Sequence, residues 1–104
     1  MQVGIVVNAL AREFRVRPGC IESIAQVAAG RAEVAVTRSL AELDSVARSL
    51  VVRGFERVVL CGGDGSHMAG VTAVLAAVAP GARAPAFALA PGGTARFLKL
   101  EAGL

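Results

Sequence analysis

The chain has no tryptophan and no tyrosine, and only four phenylalanines. Phe14, Phe55, Phe87 and Phe97 stand too far apart to form a base-stacking platform, and they are expected in the core. The net charge is +3. Arginine supplies nearly all of the positive side, in a scatter that does not form a nucleic-acid-binding stripe. Cys20 and Cys61 are the only cysteines, which excludes a disulfide framework and a cysteine metal cluster and suits free thiols in a reducing compartment. Glu22, Glu33, Glu42, Asp44 and Glu56 fall on polar faces and form no carboxylate pair. The uncharged stretch from His67 to Ala82 is too short for a bilayer and is broken by Gly70, Pro80 and Gly81. No basic segment followed by an apolar one opens the chain, so a soluble, cytoplasmic protein is expected.

What is abundant is apolar residue, 55% of 104 residues, enough for one well-buried domain. Four short apolar runs read as strands: Val3 to Asn8, Ala32 to Thr37, Arg57 to Cys61 and Ala86 to Ala90. Ala9 to Gly19 reads as a loop carrying Arg12, Arg15 and Arg17. These arginines are read first as a solvated surface, although they would also attract an anionic nucleotide or membrane. Ile21, Ile24, Ala25, Val27 and Ala28 mark a helix stopped at Gly30. Ser39 and Glu42 form a capping box at the head of a helix with Leu43, Val46, Ala47 and Leu50 on one face, ended by Gly54. A third helix follows the third strand, with Met68, Val71, Thr72, Val74, Leu75 and Val78 as its apolar face, and stops at Pro80-Gly81. A last helical turn begins with Thr94 as its cap and carries Phe97, Leu98 and Leu100. This alternation predicts a three-layer, Rossmann-like α/β domain over residues 1–104, its parallel sheet covered by helices on both faces.

The stretch Cys61-Gly62-Gly63-Asp64-Gly65-Ser66-His67 joins the third strand to a helix. Glycines let backbone approach a ligand, and the free N–H groups and positive dipole end of the helix favour an anion. Asp64 is the discordant member. Beside a phosphate about 4 Å away, at an effective dielectric constant of about 20, its charge costs about 4 kcal/mol. A Mg²⁺ bridging to the phosphates, ribose hydroxyls or the loop's own N–H groups would offset this. The plainer reading is a tight turn in which Asp64 caps the helix. Against it stand two matching neighbours, because Asn8 and Pro91-Gly92-Gly93-Thr94 end two other strands of the same sheet, where parallel α/β folds carry their ligands. His67, at a helix N-terminus, is expected to be a neutral hydrogen-bonding group rather than a catalyst.

Gly62-Gly63-Asp64-Gly65-Ser66, followed a helix later by Pro91-Gly92-Gly93-Thr94, resembles the diacylglycerol kinase and sphingosine kinase family of lipid kinases. The first motif is shared with NAD kinases and phosphofructokinases, and the second selects the lipid-kinase branch. The resemblance covers essentially the whole chain as that family's nucleotide-binding domain. It implies ATP and Mg²⁺, with Gly62, Gly63, Asp64, Gly65 and Ser66 at the phosphates and ribose and Asp64 at the metal. It further implies Asn8 contacting the nucleotide and Gly93 and Thr94 closing the site. Two departures stand out. Asn8-Ala9-Leu10-Ala11-Arg12 replaces the family's Asn-Pro loop, and Arg96 takes the place of an Asn, where its guanidinium would pair with phosphate. In the family a β-rich domain follows and supplies the general base, much of the metal site and the lipid pocket. The expectation is therefore an ATP-binding half that transfers no phosphate by itself. A homodimer and peripheral membrane contact are expected through any apolar surface left open, and no nucleic acid is expected as a partner. The alternative readings are a non-catalytic nucleotide- or partner-binding module, and an NAD kinase- or phosphofructokinase-like phosphotransferase.

Overall fold

The computed structural model describes residues 2–17 and 19–90. The four strands are β1 (Val3–Asn8), β2 (Glu33–Thr37), β3 (Arg57–Cys61) and β4 (Ala86–Ala90), and the helices are α1 (Arg12–Val16), α2 (Gly19–Ala28), α3 (Leu40–Val52) and α4 (Asp64–Ala77). All strand pairs are parallel, in the order β2-β1-β3-β4. Val7 lies opposite Val36 on one side and Cys61 on the other. The sheet is covered on both faces, as the alternation of elements predicts.

Strand periodicity divides the core in two. Val3, Ile5, Val7, Val59 and Cys61 point to one face and meet Phe14, Ile24 and Ala28 from α1 and α2. Val6, Val58 and Leu60 point to the other and meet Leu43, Ala47 and Leu50 of α3 with Ala73 and Val74 of α4. Phe14 and Phe55 are buried and Phe87 is half-buried; Phe97, like the helical turn expected from Thr94, lies outside the described residues.

The capping box is present in a shifted form. The Ser39 hydroxyl accepts from the Glu42 N–H at 3.1 Å, but the Glu42 carboxylate accepts from the N–H of Arg38, one residue ahead of the cap, at 3.3 Å. At the far end of α3, Arg53 reaches across to β2. Its guanidinium forms a fork with the Glu33 carboxylate, Nη1 to Oε1 at 3.0 Å and Nη2 to Oε2, and lies 4.8 Å from the centre of the Phe55 ring. The Arg53 hydrogen bonds hold the Glu33 carboxyl below its ordinary range.

Three expectations need correction. The stretch read as a loop from Ala9 to Gly19 contains α1, begun by bonds from Ala11 to Asn8 (3.0 Å) and from Phe14 to Ala11 (3.0 Å). Five residues are too few to show a helical period, and the buried Phe14 holds the turn in place. β2 starts at Glu33, not Ala32, because the Ala32 N–H turns back to the Ala28 carbonyl at 3.0 Å. The buried face of α4 is Gly70, Ala73 and Val74, whereas Met68 and Leu75 are exposed. This helix is apolar on every side, so close approach rather than hydrophobicity selects the packed face. A Cβ at Gly70 would sit 2.7 Å from a Leu60 methyl, and only glycine lets α4 come so near β3 there. Met68, Val71 and Leu89 consequently line a shallow groove of about 360 Å³ between α4 and β4. No helix among the described residues is long and apolar enough to cross a membrane.

Candidate functional site

The chain leaves β1 toward β2 and later returns to place β3 on the other side of β1, so the carboxyl ends of β1 and β3 flank a topological switch point. Asn8 ends β1 there. Its Oδ1 accepts from the Leu10 N–H at 3.0 Å, and its Nδ2 donates to the Ser66 hydroxyl at 2.7 Å. The backbone donor fixes which end of the amide is oxygen, so the orientation of the Asn8–Ser66 bond follows from chemistry. Two of the sites suggested by the sequence, 58 positions apart, are thereby in direct contact.

The glycine loop is tight at Gly62 and open beyond it. Gly62 is buried with φ 153°, and a Cβ there would fall 2.6 Å from Ser66 Cβ. Gly63 caps α4 through extended backbone, with no side chain to satisfy the first-turn donors. Asp64 is the first residue of the helix and not its cap, which corrects the plainer reading of that carboxylate. It is exposed, favourably placed on the dipole, and makes no ion pair among the described residues. A Cβ built at Gly63 or Gly65 meets nothing within 4 Å among the described residues, which leaves the space before the first turn free of them. The N–H groups of that turn have no intrahelical acceptor; the ladder begins with His67 donating to Gly63 at 3.0 Å.

Between the heads of α3 and α4 lies a cavity of about 230 Å³. Asn8, Thr37, Ser39, Cys61, Gly65 and Ser66 give its polar and small-residue lining, and Leu10, Leu40 and Leu43 its apolar side. The heads of two helices therefore open on one space. The Thr37 hydroxyl donates to the Val7 carbonyl at 3.4 Å, and the Ala9 N–H donates to the Thr37 carbonyl at 2.9 Å, which closes the β1–β2 side. Thr37, Ser39 and Leu40 were not among the site residues expected from sequence. The available signal was the capping box, which puts the head of α3 at the end of β2.

Cys61 stands in the cavity wall, and burial pushes its thiol up to about 12. Its neutral form is the one the fold accommodates, so its stability contribution is intact below the unfolded thiol's pKa and fades as pH rises toward 12. In folded protein at pH 8, iodoacetamide is expected to alkylate the half-buried Cys20 and leave Cys61 unmodified until denaturant is added. Peptide mass mapping checks this, and native labelling of Cys61 at the rate of Cys20 would show the wall to be open.

Among the described residues no three His, Cys, Asp or Glu side chains converge to hold an ion. Gly93, Thr94 and Arg96 lie outside the described residues, but the strand leading to them ends beside the loop. The Ala90 carbonyl accepts from Gly62 N–H at 3.1 Å and lies 2.9 Å from His67 Nε2.

Comparison with protein families matches the chain to the diacylglycerol kinase catalytic domain over residues 3–104. Comparison with curated proteins finds no matching relative.

Proposed function

The chain belongs to the diacylglycerol kinase catalytic-domain family, and from that premise we propose that it binds Mg²⁺-ATP as the nucleotide-carrying part of a lipid kinase. The reaction would move the γ-phosphoryl group to a lipid hydroxyl of the diacylglycerol class. The observation that carries this reading is the 2.7 Å bond from Asn8 to Ser66, which joins the end of β1 to the first turn of α4 beside the cavity. An ornamental turn would have no need of that link.

The cavity is smaller than the roughly 300–1,000 Å³ of ordinary ligand pockets, so it takes the base and ribose, and the phosphates lie over the open backbone of Gly63 and Gly65. The first-turn N–H groups of α4 point at phosphate oxygens, and Gly62 keeps the turn close enough for them to do so. Asn8 holds Ser66, whose hydroxyl proton remains free to reach an oxygen of the ligand. Asp64 fits a Mg²⁺ because it is exposed at the mouth of this turn and unpaired among the described residues. One carboxylate with phosphate oxygens and water is an ordinary Mg²⁺ ligand set, and the bound ion would neutralise phosphate charge. On the family resemblance Gly93, Thr94 and Arg96, which lie outside the described residues, would belong to the same nucleotide site. In this reading the general base and the lipid pocket belong to a β-rich second domain, and residues 1–104 serve the nucleotide.

Thermal unfolding with and without Mg²⁺-ATP tests the proposal. Ligand at a hundredfold over Kd adds about 2.7 kcal/mol, which for a domain of this size raises Tm by roughly 10–20 °C. Asp64→Ala, or chelation of Mg²⁺ in the wild type, should remove most of that rise. An unchanged wild-type Tm, or an equal rise in Asp64→Ala, would reject the reading.

A further inference from the structure

α1 has no part in the nucleotide reading, yet its orientation is fixed. Phe14 is 2% exposed and belongs to the core with Ile5, Val7 and Ile24. At 3.6 residues per turn, Arg12 and Val16 then lie on the side of α1 opposite Phe14, with Arg15 on one flank. Arg12, Arg15 and Arg17 are exposed, and Val16 is 68% exposed. Leu10, just ahead of the helix, is 55% exposed. The Arg17 carbonyl accepts from the Cys20 N–H at 3.0 Å, which holds position 17 at the turn into α2. None of the three arginines makes an ion pair among the described residues. Residues 10–17 carry these three arginines against one acid, Glu13, and so hold most of the chain's net charge of +3.

Cations interleaved with exposed aliphatic side chains suit one partner above others. Anionic headgroups attract the guanidinium groups, and the aliphatic side chains enter the boundary with the acyl chains. A nucleic acid or an acidic peptide would reward the arginines and gain nothing from Val16. The apolar groove of Met68, Val71 and Leu89 is no rival, because it is flanked by Asp64 and lined by no arginine or lysine among the described residues. We propose that residues 10–17 form a docking surface for an anionic lipid bilayer. Its place on the fold gives this a use. The Ala11 N–H donates to the Asn8 carbonyl at 3.0 Å, so the surface begins at the end of β1, and Leu10 also lines the cavity. Docking therefore holds the cavity mouth at the bilayer, where a lipid hydroxyl is found. That consequence rests on the nucleotide reading; the docking itself does not.

Co-sedimentation of the full chain with vesicles tests the proposal. Wild type should bind vesicles of mixed phosphatidylglycerol and phosphatidylcholine, and pure phosphatidylcholine far more weakly. Arg12→Gln/Arg15→Gln/Arg17→Gln should weaken binding to the anionic vesicles about a hundredfold, since each arginine near such a surface is worth about fivefold. Arg31→Gln/Arg48→Gln/Arg83→Gln removes the same charge from exposed positions elsewhere and should cost less than about tenfold. Val16→Ser, which leaves the charge intact, should cost about fivefold. All of these side chains are exposed, so urea midpoints should match wild type. No binding to anionic vesicles, equal losses in the two triple variants, or indifference to Val16→Ser overturns the proposal, the last by leaving a surface for polyanions in general. Calorimetry without vesicles separates the other anion on hand. Mg²⁺-ATP affinity should be the same in wild type and the α1 triple variant; a tenfold loss would assign the arginines to the nucleotide instead. Wild type that binds vesicles but not ATP would reject the nucleotide reading and leave the docking surface standing.

Discussion

Gly62→Ala is expected to destabilise the domain by about 2–6 kcal/mol. Two effects combine at this position. The backbone has φ 153°, a conformation L side chains rarely adopt, and such strain costs about 1–3 kcal/mol. The new methyl would also stand 2.6 Å from Ser66 Cβ and 2.7 Å from its hydroxyl. Those atoms sit close to the helix backbone and cannot swing aside without moving the first turn of α4, and overpacking of this kind costs about 1–3 kcal/mol more. Urea unfolding reads the loss directly. Gly63→Ala is the control, because Gly63 has φ −87° and a Cβ there meets nothing within 4 Å among the described residues. As a change at the N-cap of α4 it should cost only about 1 kcal/mol, well below the loss at Gly62. On the reading above it should nonetheless weaken Mg²⁺-ATP, since the added methyl occupies the space reserved for phosphate. Gly62→Ala with wild-type stability would mean that the turn relaxes freely and does not set the position of Ser66.

The features legible in the sequence were those with a local cause. β1, β3 and β4 appear as short apolar runs with β-branched or small residues, and their bounds match the structure. α3 announces itself through Ser39 and ends before Gly54, which takes φ 77°. The glycine loop was legible because three glycines around one acid have few structural uses. What escaped depended on contacts between distant residues. The packed side of α4 is decided by Gly70 meeting Leu60, and periodicity is silent on a helix that is apolar all round. α1 exists because Phe14 enters the core. Strand ends suggested that Asn8 and Ser66 share a cleft, but their hydrogen bond required the order β2-β1-β3-β4, and nothing local specifies that order.

The same dependence on close approach yields the other large effect, at Leu50. This side chain is 1% exposed and fills the space beside Gly4, where a Cβ on β1 would lie 2.9 Å and 3.1 Å from its two methyl groups. Leu50→Ala should therefore cost about 3–5 kcal/mol, the range for a buried leucine whose cavity cannot collapse, and lower Tm by roughly 15–30 °C. Gly4→Ala alone should cost about 1–3 kcal/mol, because its methyl is forced against Leu50 and Phe55. Combined, the two changes remove each other's conflict: the alanine methyl at position 4 enters the space that Leu50 vacates. The double variant should be more stable than the sum of the single losses by at least about 1 kcal/mol, well beyond the roughly 0.3–0.5 kcal/mol scatter of independent sites. Additivity within that scatter would show that β1 and α3 are not in register at Gly4 as described. Leu50 lies near the far end of α3 from Ser39 and Leu40, which line the cavity. Mg²⁺-ATP affinity of the folded Leu50→Ala protein should accordingly stay near wild type, which separates loss of the core from loss of the site.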